Sequence, residues 1–181
     1  MTCIFTIGHS TRPIDEFIAI LREHEIQQLV DIRTIPKSRH NPQYGEDELP
    51  QSLAAADISY VYLKALGGLR SATHSELNDG WRNASFRNYA DYMQTPAFAE
   101  GIAELIRLAE QKTTVIMCAE AVPWRCHRSL VSDALLVRGI PSCEIISATS
   151  ERMHTMTPFA VVHGTTITYP KSAVSDLDAE T

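Results

Sequence analysis

Two kinds of apolar run alternate along the chain. "CIFTIG" (Cys3 to Gly8) is short, continuous and β-branched, and it ends on a glycine; such a run predicts a buried strand. The next segment places Ile14, Phe17, Ile18 and Leu21 at i, i+3, i+4 and i+7, one face of a helix, with Pro13 suited to its first turn. "QQLVDIR" (Gln27 to Arg33) predicts a second strand, followed by the basic, proline-broken "TIPKSRHNPQYG" and a short helix around Pro50 to Ala56. "SYVYLKALGG" (Ser59 to Gly68) predicts a third strand, and Gly67 to Asn83 a long loop. Ser85 is the expected cap of a helix with Phe86, Tyr89, Ala90 and Met93 on one side. Thr95-Pro96 opens another, with Phe98, Ile102, Leu105, Ile106 and Ala109 inward. "TTVIMCA" is the fourth strand, and a helix from about His127 shows Leu130, Val131, Ala134 and Leu135 before Gly139 stops it. "SCEIIS" (Ser142 to Ser147) is the fifth strand, and "FAVVHGTTITY" alternates weakly, as a terminal hairpin would.

Strands alternating with helices predict an α/β, single-domain, Rossmann-like three-layer fold: a mainly parallel sheet flanked by helices, with a C-terminal β-hairpin. The expected domain spans residues 1–170, and residues 171–181 form an acidic, flexible tail. In such sheets ligands bind beyond the carboxyl ends of the strands. Four expected strand ends carry polar clusters. They hold His9 and Ser10; Asp31, Arg33, Ser38, Arg39 and Asn41; Lys64, Gly67 and Gly68; and Cys118, Glu120, Cys126, His127 and Arg128. The opposite edge offers helix ends and short turns such as "REHEIQ" and "RGIP". This asymmetry favours a site over a merely solvated surface.

Composition narrows the picture only a little. At 181 residues, 44% hydrophobic and 21% charged, the chain is an ordinary globular protein with room for one sizeable core. Four cysteines are too few for a disulfide scaffold, so a reducing, cytoplasmic setting is the expectation. No run is long enough to span a membrane, and "MTCIFTIGHS" lacks a basic leader. The net charge of −6 argues against non-specific phosphate attraction by the whole surface. Locally, however, "RTIPKSRH" and "WRCHR" are basic with no acid, and a cleft responds to local potential.

The densest chemistry lies in "VIMCAEAVPWRCHRSL" (Val115 to Leu130). A helix opening there would turn N–H groups and partial positive charge toward Arg125, His127 and Arg128, a coherent anion site. It is not a cysteine-phosphatase loop, which needs five residues between Cys and Arg; from Cys118 that position is Trp124. The alternative is that these arginines serve protein carboxylates such as Glu120 or Asp31. Cys126, between arginine and histidine near a helix start, has a setting that stabilises thiolate, whereas Cys3 and Cys143 read as buried apolar residues. The C-x7-C-H spacing is not a zinc spacing, and no metal is assigned. Asp31 and Arg33, two apart on a strand, share a face, as a binding pair or as a brace. His9 follows Gly8 at the same edge, placed to act as acid, base or ligand.

These residues carry a resemblance. "FTIGHS", "LVDIRTIPKSRHNP", "LGGLR", "FRNYADYMQTPAF", "MCAEAVPWRCHRSLVSDALLVRG" and "MTPFAVVHGTTITYP" resemble the bacterial and archaeal domain-of-unknown-function family numbered 488, from Phe5 to Pro170. The resemblance implies a compact α/β domain and nucleotide- or nucleic-acid-like ligands. It implies no particular reaction.

The leading expectation is an enzyme that binds an anionic, phosphate-bearing ligand, nucleotide or nucleic acid first. Arg33, Arg39, Arg128 and His127 would hold it, with Ser10, Ser38, Asn41, Gly67 and Gly68 around it. His9, Asp31, Glu120 and Cys126 are the catalytic candidates. Two alternatives stand beside it: a non-catalytic sensor module using the same pocket, and a thiol-redox or metal protein centred on Cys118 and Cys126. The sequence names no cofactor, no membrane partner and no oligomeric state.

Overall fold

The computed structural model describes residues 3–73 and 75–174. Its centre is a six-stranded sheet of order β3-β2-β4-β1-β5-β6. The strands are β1 (Ile4–Gly8), β2 (Gln28–Asp31), β3 (Ser59–Tyr62), β4 (Thr114–Cys118), β5 (Ser142–Ser147) and β6 (Ser150–Met153). The first five run parallel, and β6 pairs antiparallel with β5. The expected α/β class and parallel sheet are therefore present, as is the hairpin, formed by β7 (Val161–His163) and β8 (Thr166–Thr168).

Connection direction sorts the helices onto two faces. β1→β2 and β2→β3 step one way across the sheet, while β3→β4 and β4→β5 step the other; with right-handed crossovers the two sets must lie on opposite sides. So α1 (Ile14–Glu23) and α2 (Leu49–Ala54) cover one face, packing Phe17, Leu21, Leu49 and Leu53 on Ile7, Leu29, Val115 and Met117. α3 (Ala84–Tyr92), α4 (Pro96–Gln111) and α5 (Arg128–Leu136) cover the other, packing Tyr89, Ile102, Leu105 and Leu130 on Val30, Ile32 and Ile116. The predicted inward residues of α5, Leu130, Val131, Ala134 and Leu135, are all buried.

Three local expectations change. Asn83, not Ser85, caps α3: its side chain accepts from Ser85 N at 2.8 Å and Phe86 N at 3.3 Å, because Asn83 keeps extended dihedrals while Ser85 is already helical. The third strand stops at Tyr62, and Lys64–Leu66 turns as a 3-10 helix that carries the glycine pair back over β2. β6 was not expected, since "SERM" is exposed throughout and shows no apolar alternation. Gly139 does end α5, at φ 77°. Of the expected tail, residues 175–181 lie outside the described residues.

The C-terminal hairpin is fastened through one buried carboxylate. Asp133 of α5 is fully buried and accepts from Tyr169 Oη at 2.8 Å, His154 Nε2 at 2.7 Å and Thr157 N at 3.1 Å. Asn78 of the long loop receives Tyr169 N at 2.9 Å, so that loop and the hairpin share an anchor. Asp133→Ala should cost about 3 kcal/mol, since several buried donors lose their acceptor together. Urea unfolding measures the loss, and amide exchange across residues 161–168 should speed up more than in β1 or β4.

Candidate functional site

β1 and β4 run side by side, with Gly8 opposite Cys118. Beyond them the chain at Glu120 crosses directly over Gly8: a Cβ there would sit 1.6 Å from the Glu120 carbonyl oxygen and 2.8 Å from Arg128 Nη1. Glycine at position 8 thus lets the loop after β4 fold down and lets a guanidinium slide beneath it. That guanidinium belongs to Arg128, the first residue of α5, and it is fully buried. Its Nε and Nη2 bond Glu144 of β5 at 3.2 and 2.7 Å; Nη2 also reaches the Ala121 carbonyl, and Nη1 reaches the Glu120 carbonyl and Cys118 Sγ. Thr6 on β1 donates to the same carboxylate.

Arg128, expected to hold an external anion, has every donor of its guanidinium engaged inside the protein. The start of α5 is likewise occupied: Arg128 N turns to Cys126 Sγ, Ser129 N to the Cys126 carbonyl, and Leu130 N to the His127 carbonyl. The local basicity of "WRCHR" is in part a counter-charge to Glu144. That partner has a sequence signal, since Glu144 is a lone carboxylate in the apolar "SCEIIS".

The sulfurs of Cys118 and Cys126 lie side by side in the structure. The fold brings the strand end and the turn before α5 together, and with them the two cysteines on which the thiol-redox or metal alternative centred. Among the described residues no group of three or more metal-ligating side chains is gathered. His127 borders the pair. Its Nε2 donates to the Ile32 carbonyl at 2.9 Å, so its Nδ1 carries the lone pair and faces Cys126 Sγ at 3.5 Å. Burial, with Arg128 beside it, holds His127 down at about 4. Gly68 lies flat against this imidazole, where a Cβ would be 2.5 Å from Nδ1. Gly67 likewise fits against Thr34, whose Oγ1 accepts from Leu69 N at 2.7 Å.

A second group forms on the α1/α2 face. Asp31 accepts three bonds from Arg33, at 2.9 Å from Nε, 2.7 Å from Nη2 and 3.1 Å from the backbone N, and a fourth from Tyr60 Oη at 2.6 Å. Burial pulls the guanidinium pKa down, but the bound carboxylate outweighs it and keeps Arg33 charged. Both side chains are buried, yet Arg33 Nη1 has no partner. His9 stands near enough to feel that charge. It stacks on Tyr44 with centroids 4.1 Å apart, and its Nδ1 donates at 2.7 Å to the carbonyl of Ser10, a residue at φ 52°. Nδ1 therefore keeps the proton, and Nε2, buried and without a partner, presents a lone pair. Burial, reinforced by Arg33, sets His9 at about 4 despite the Ser10 contact. Tyr44 and Tyr60 carried no signal in the sequence; each becomes functional only through packing.

A cleft of about 510 Å³ opens at the carboxyl edge of β2 and β4, inside the range of small-ligand sites. Arg33 and Thr34 bound it on one side, Cys118 to Glu120 and Arg125 to His127 on another, and Gly68 and Phe86 on the remainder. Glu120 is exposed, and Asn83 at the start of α3 also faces the space. The cleft lining thus splits the expected single constellation. Arg33 and the thiol pair share the cleft, while His9, Ser10 and Asp31 lie behind it. Ser38, Arg39 and Asn41 do not border it; Ser38 Oγ receives Asn41 N at 3.0 Å within its own turn, and Arg39 is exposed.

A parallel α/β sheet with a ligand-sized cleft at its carboxyl edge places the molecule in the Rossmann-like class. Within that class, the family model described as "Domain of unknown function DUF488" matches residues 13–135, and the chain belongs to this family. The matched segment contains Asp31, Arg33, Cys118, Cys126, His127 and Arg128; His9 and Glu144 fall outside it. Comparison with curated proteins and with solved structures gave no match.

Two outcomes follow from this geometry. Arg128→Ala should destabilise the protein by about 3–5 kcal/mol in urea unfolding, because it leaves Glu144 buried without its counter-charge. Acid should also loosen the fold through the histidines. His9 and His127, at about 4 in the folded chain, lie below the ordinary value of 6.5. The unfolded state therefore binds more protons between those values. Their contribution is full above about pH 6.5 and is lost as pH falls toward 4, on the order of a few kcal/mol. His127→Gln should flatten the fall in urea midpoint between pH 7 and pH 5; an unchanged slope would assign the acid sensitivity elsewhere.

Proposed function

We propose that the protein is an enzyme whose cleft binds an anionic, phosphate-bearing ligand of the nucleotide class, with Arg33 as the anchor and His9, buried behind the cleft wall within reach of the Arg33 charge, as the acid–base candidate. The observation that carries this reading is Arg33 Nη1: a buried, charged donor without a protein partner on a residue that walls a ligand-sized space. Asp31 and Tyr60 hold the guanidinium in place, so an anion would meet a donor already oriented. Arg125 adds charge at the same wall, and the positive end of α3 faces it. Phe86 offers an aromatic surface suited to a nucleobase.

The pattern of spent and unspent groups favours catalysis over simple sensing. Asp31 and Glu144 are both locked by guanidiniums, which removes Asp31 from acid–base duty. His9 is neither locked nor loose. Its proton is fixed on Nδ1 and its Nε2 is open, the arrangement of a general base. An anion bound beside it would raise its low pKa and so strengthen it as a proton acceptor.

Titration calorimetry with inorganic phosphate and a nucleoside monophosphate tests the reading. Arg33→Lys keeps the charge but loses the fork, and it should weaken binding by about 1.5–3 kcal/mol. In NMR titrations the His9 transition should move upward when phosphate is bound. Equal affinity in wild type and Arg33→Lys, with no movement at His9, would end this assignment.

A further inference from the structure

The chain holds two classes of thiol, and the fold treats them oppositely. Cys3, just before β1, and Cys143 of β5 lie beside each other at the β5 side of the sheet. Burial, their mutual proximity and Glu151 push Cys3 up to about 12, and burial raises Cys143 as well. Thiols so placed stay protonated and inert. Cys118 and Cys126 have the reverse surroundings. Arg128 Nη1 donates to Cys118 Sγ at 2.7 Å. Arg128 N points at Cys126 Sγ at 3.5 Å, and the unprotonated Nδ1 of His127 faces the same sulfur. Both cysteines belong to the wall of the cleft, and the fold brings their sulfurs next to each other.

We propose that Cys118 and Cys126 form a reversible dithiol–disulfide couple that reduces small hydroperoxides at the cleft wall. Cys118 is the attacking thiolate, held ionised by the Arg128 guanidinium, and Cys126 is the resolving thiol. The sulfur of Cys118 attacks the distal oxygen of the hydroperoxide. An S–O bond forms, the O–O bond breaks, and the alkoxide or hydroxide released takes a proton from solvent. Cys118 is then a sulfenic acid. Cys126 attacks that sulfur; the S–S bond forms, and the hydroxyl leaves with the Cys126 proton as water. Two thiols and one hydroperoxide thus give one disulfide, one alcohol or water, and one further water. A small external thiol returns the pair to the reduced state by exchange. Only a small oxidant fits, because Cys118 is 2% and Cys126 5% exposed. The step does not use Arg33, so the couple stands or falls apart from the anion-binding reading.

The experiment uses the full chain, reduced with dithiothreitol, desalted and given one equivalent of hydrogen peroxide. The expected product has lost about 2 Da, and non-reducing peptide mapping places the bond between Cys118 and Cys126. It should form at least about tenfold faster than Cys3 or Cys143 is oxidised in the same sample. In Cys126→Ser, verified as folded by circular dichroism, Cys118 should accumulate as a sulfenic acid that dimedone traps. Four results would each overturn the proposal: a pair that dithiothreitol cannot reduce in the folded protein, a bond to Cys3 or Cys143, oxidation no faster than those two, or no trapped adduct on Cys118. Phosphate affinity measured on the same Cys126→Ser protein keeps a failure of the thiol chemistry distinct from a failure of the cleft.

Discussion

The Arg128–Glu144 pair is the constraint on which the carboxyl edge of this sheet depends. One guanidinium, wholly buried, links the carboxylate of β5 to two carbonyls and a sulfur at the end of β4, passing beneath the loop that crosses β1. Its desolvation is tolerable only because all its donors are engaged and its charge is matched at 2.7 Å. Gly8 is the steric condition for this arrangement, since any side chain there would strike both the Glu120 carbonyl and Arg128. Remove either condition and the loop that carries Glu120, Arg125 and Cys126 loses its seat. The cleft wall is therefore set by an internal ion pair, with α5 acting as the lever that delivers it.

A second ion pair does related work on the other face, with a different remainder. Arg128 exhausts its donors, whereas Arg33 gives two of its guanidinium nitrogens to Asp31 and retains Nη1. That difference separates a brace from an anchor, and it is invisible in composition, where both are simply arginine after an apolar strand. Beside Arg33, His9 is fixed by a stacked tyrosine and a carbonyl and also keeps one nitrogen open. Buried polar groups are normally satisfied by the protein. Two neighbouring exceptions at the carboxyl edge of a parallel sheet are where a ligand would be sought.

The fold was largely legible because period and punctuation agreed. Helix faces such as Leu130, Val131, Ala134 and Leu135 declared themselves by spacing, and Gly139 marked its stop. β6 was not legible: an exposed edge strand buries nothing, so its sequence carries no apolar alternation. The polar edge was legible too, because strand-end residues of a parallel sheet must collect there. Their division by the sheet plane was not read, although strand parity contains it. Asp31 and Arg33 share one parity and face α1 and α2, while Cys118 faces α3 to α5. Contacts made by residues distant in sequence, such as Tyr44 on His9 or Glu144 on Arg128, leave no local pattern to read.

One short motif carries side chains that each make two engagements. In "CAEAVPWRCHR", Arg128 neutralises Glu144 and at the same time presents Nη1 to Cys118, so the cation that secures the fold also favours thiolate. His127 likewise serves twice, closing onto the Ile32 carbonyl with one nitrogen and facing Cys126 with the other. Groups with two engagements are fixed in orientation by the structural one, and that fixes the geometry of the chemical one. An anchor and a thiol pair supported in this way can border a single cleft from opposite sides of the sheet, each held by partners the other does not touch.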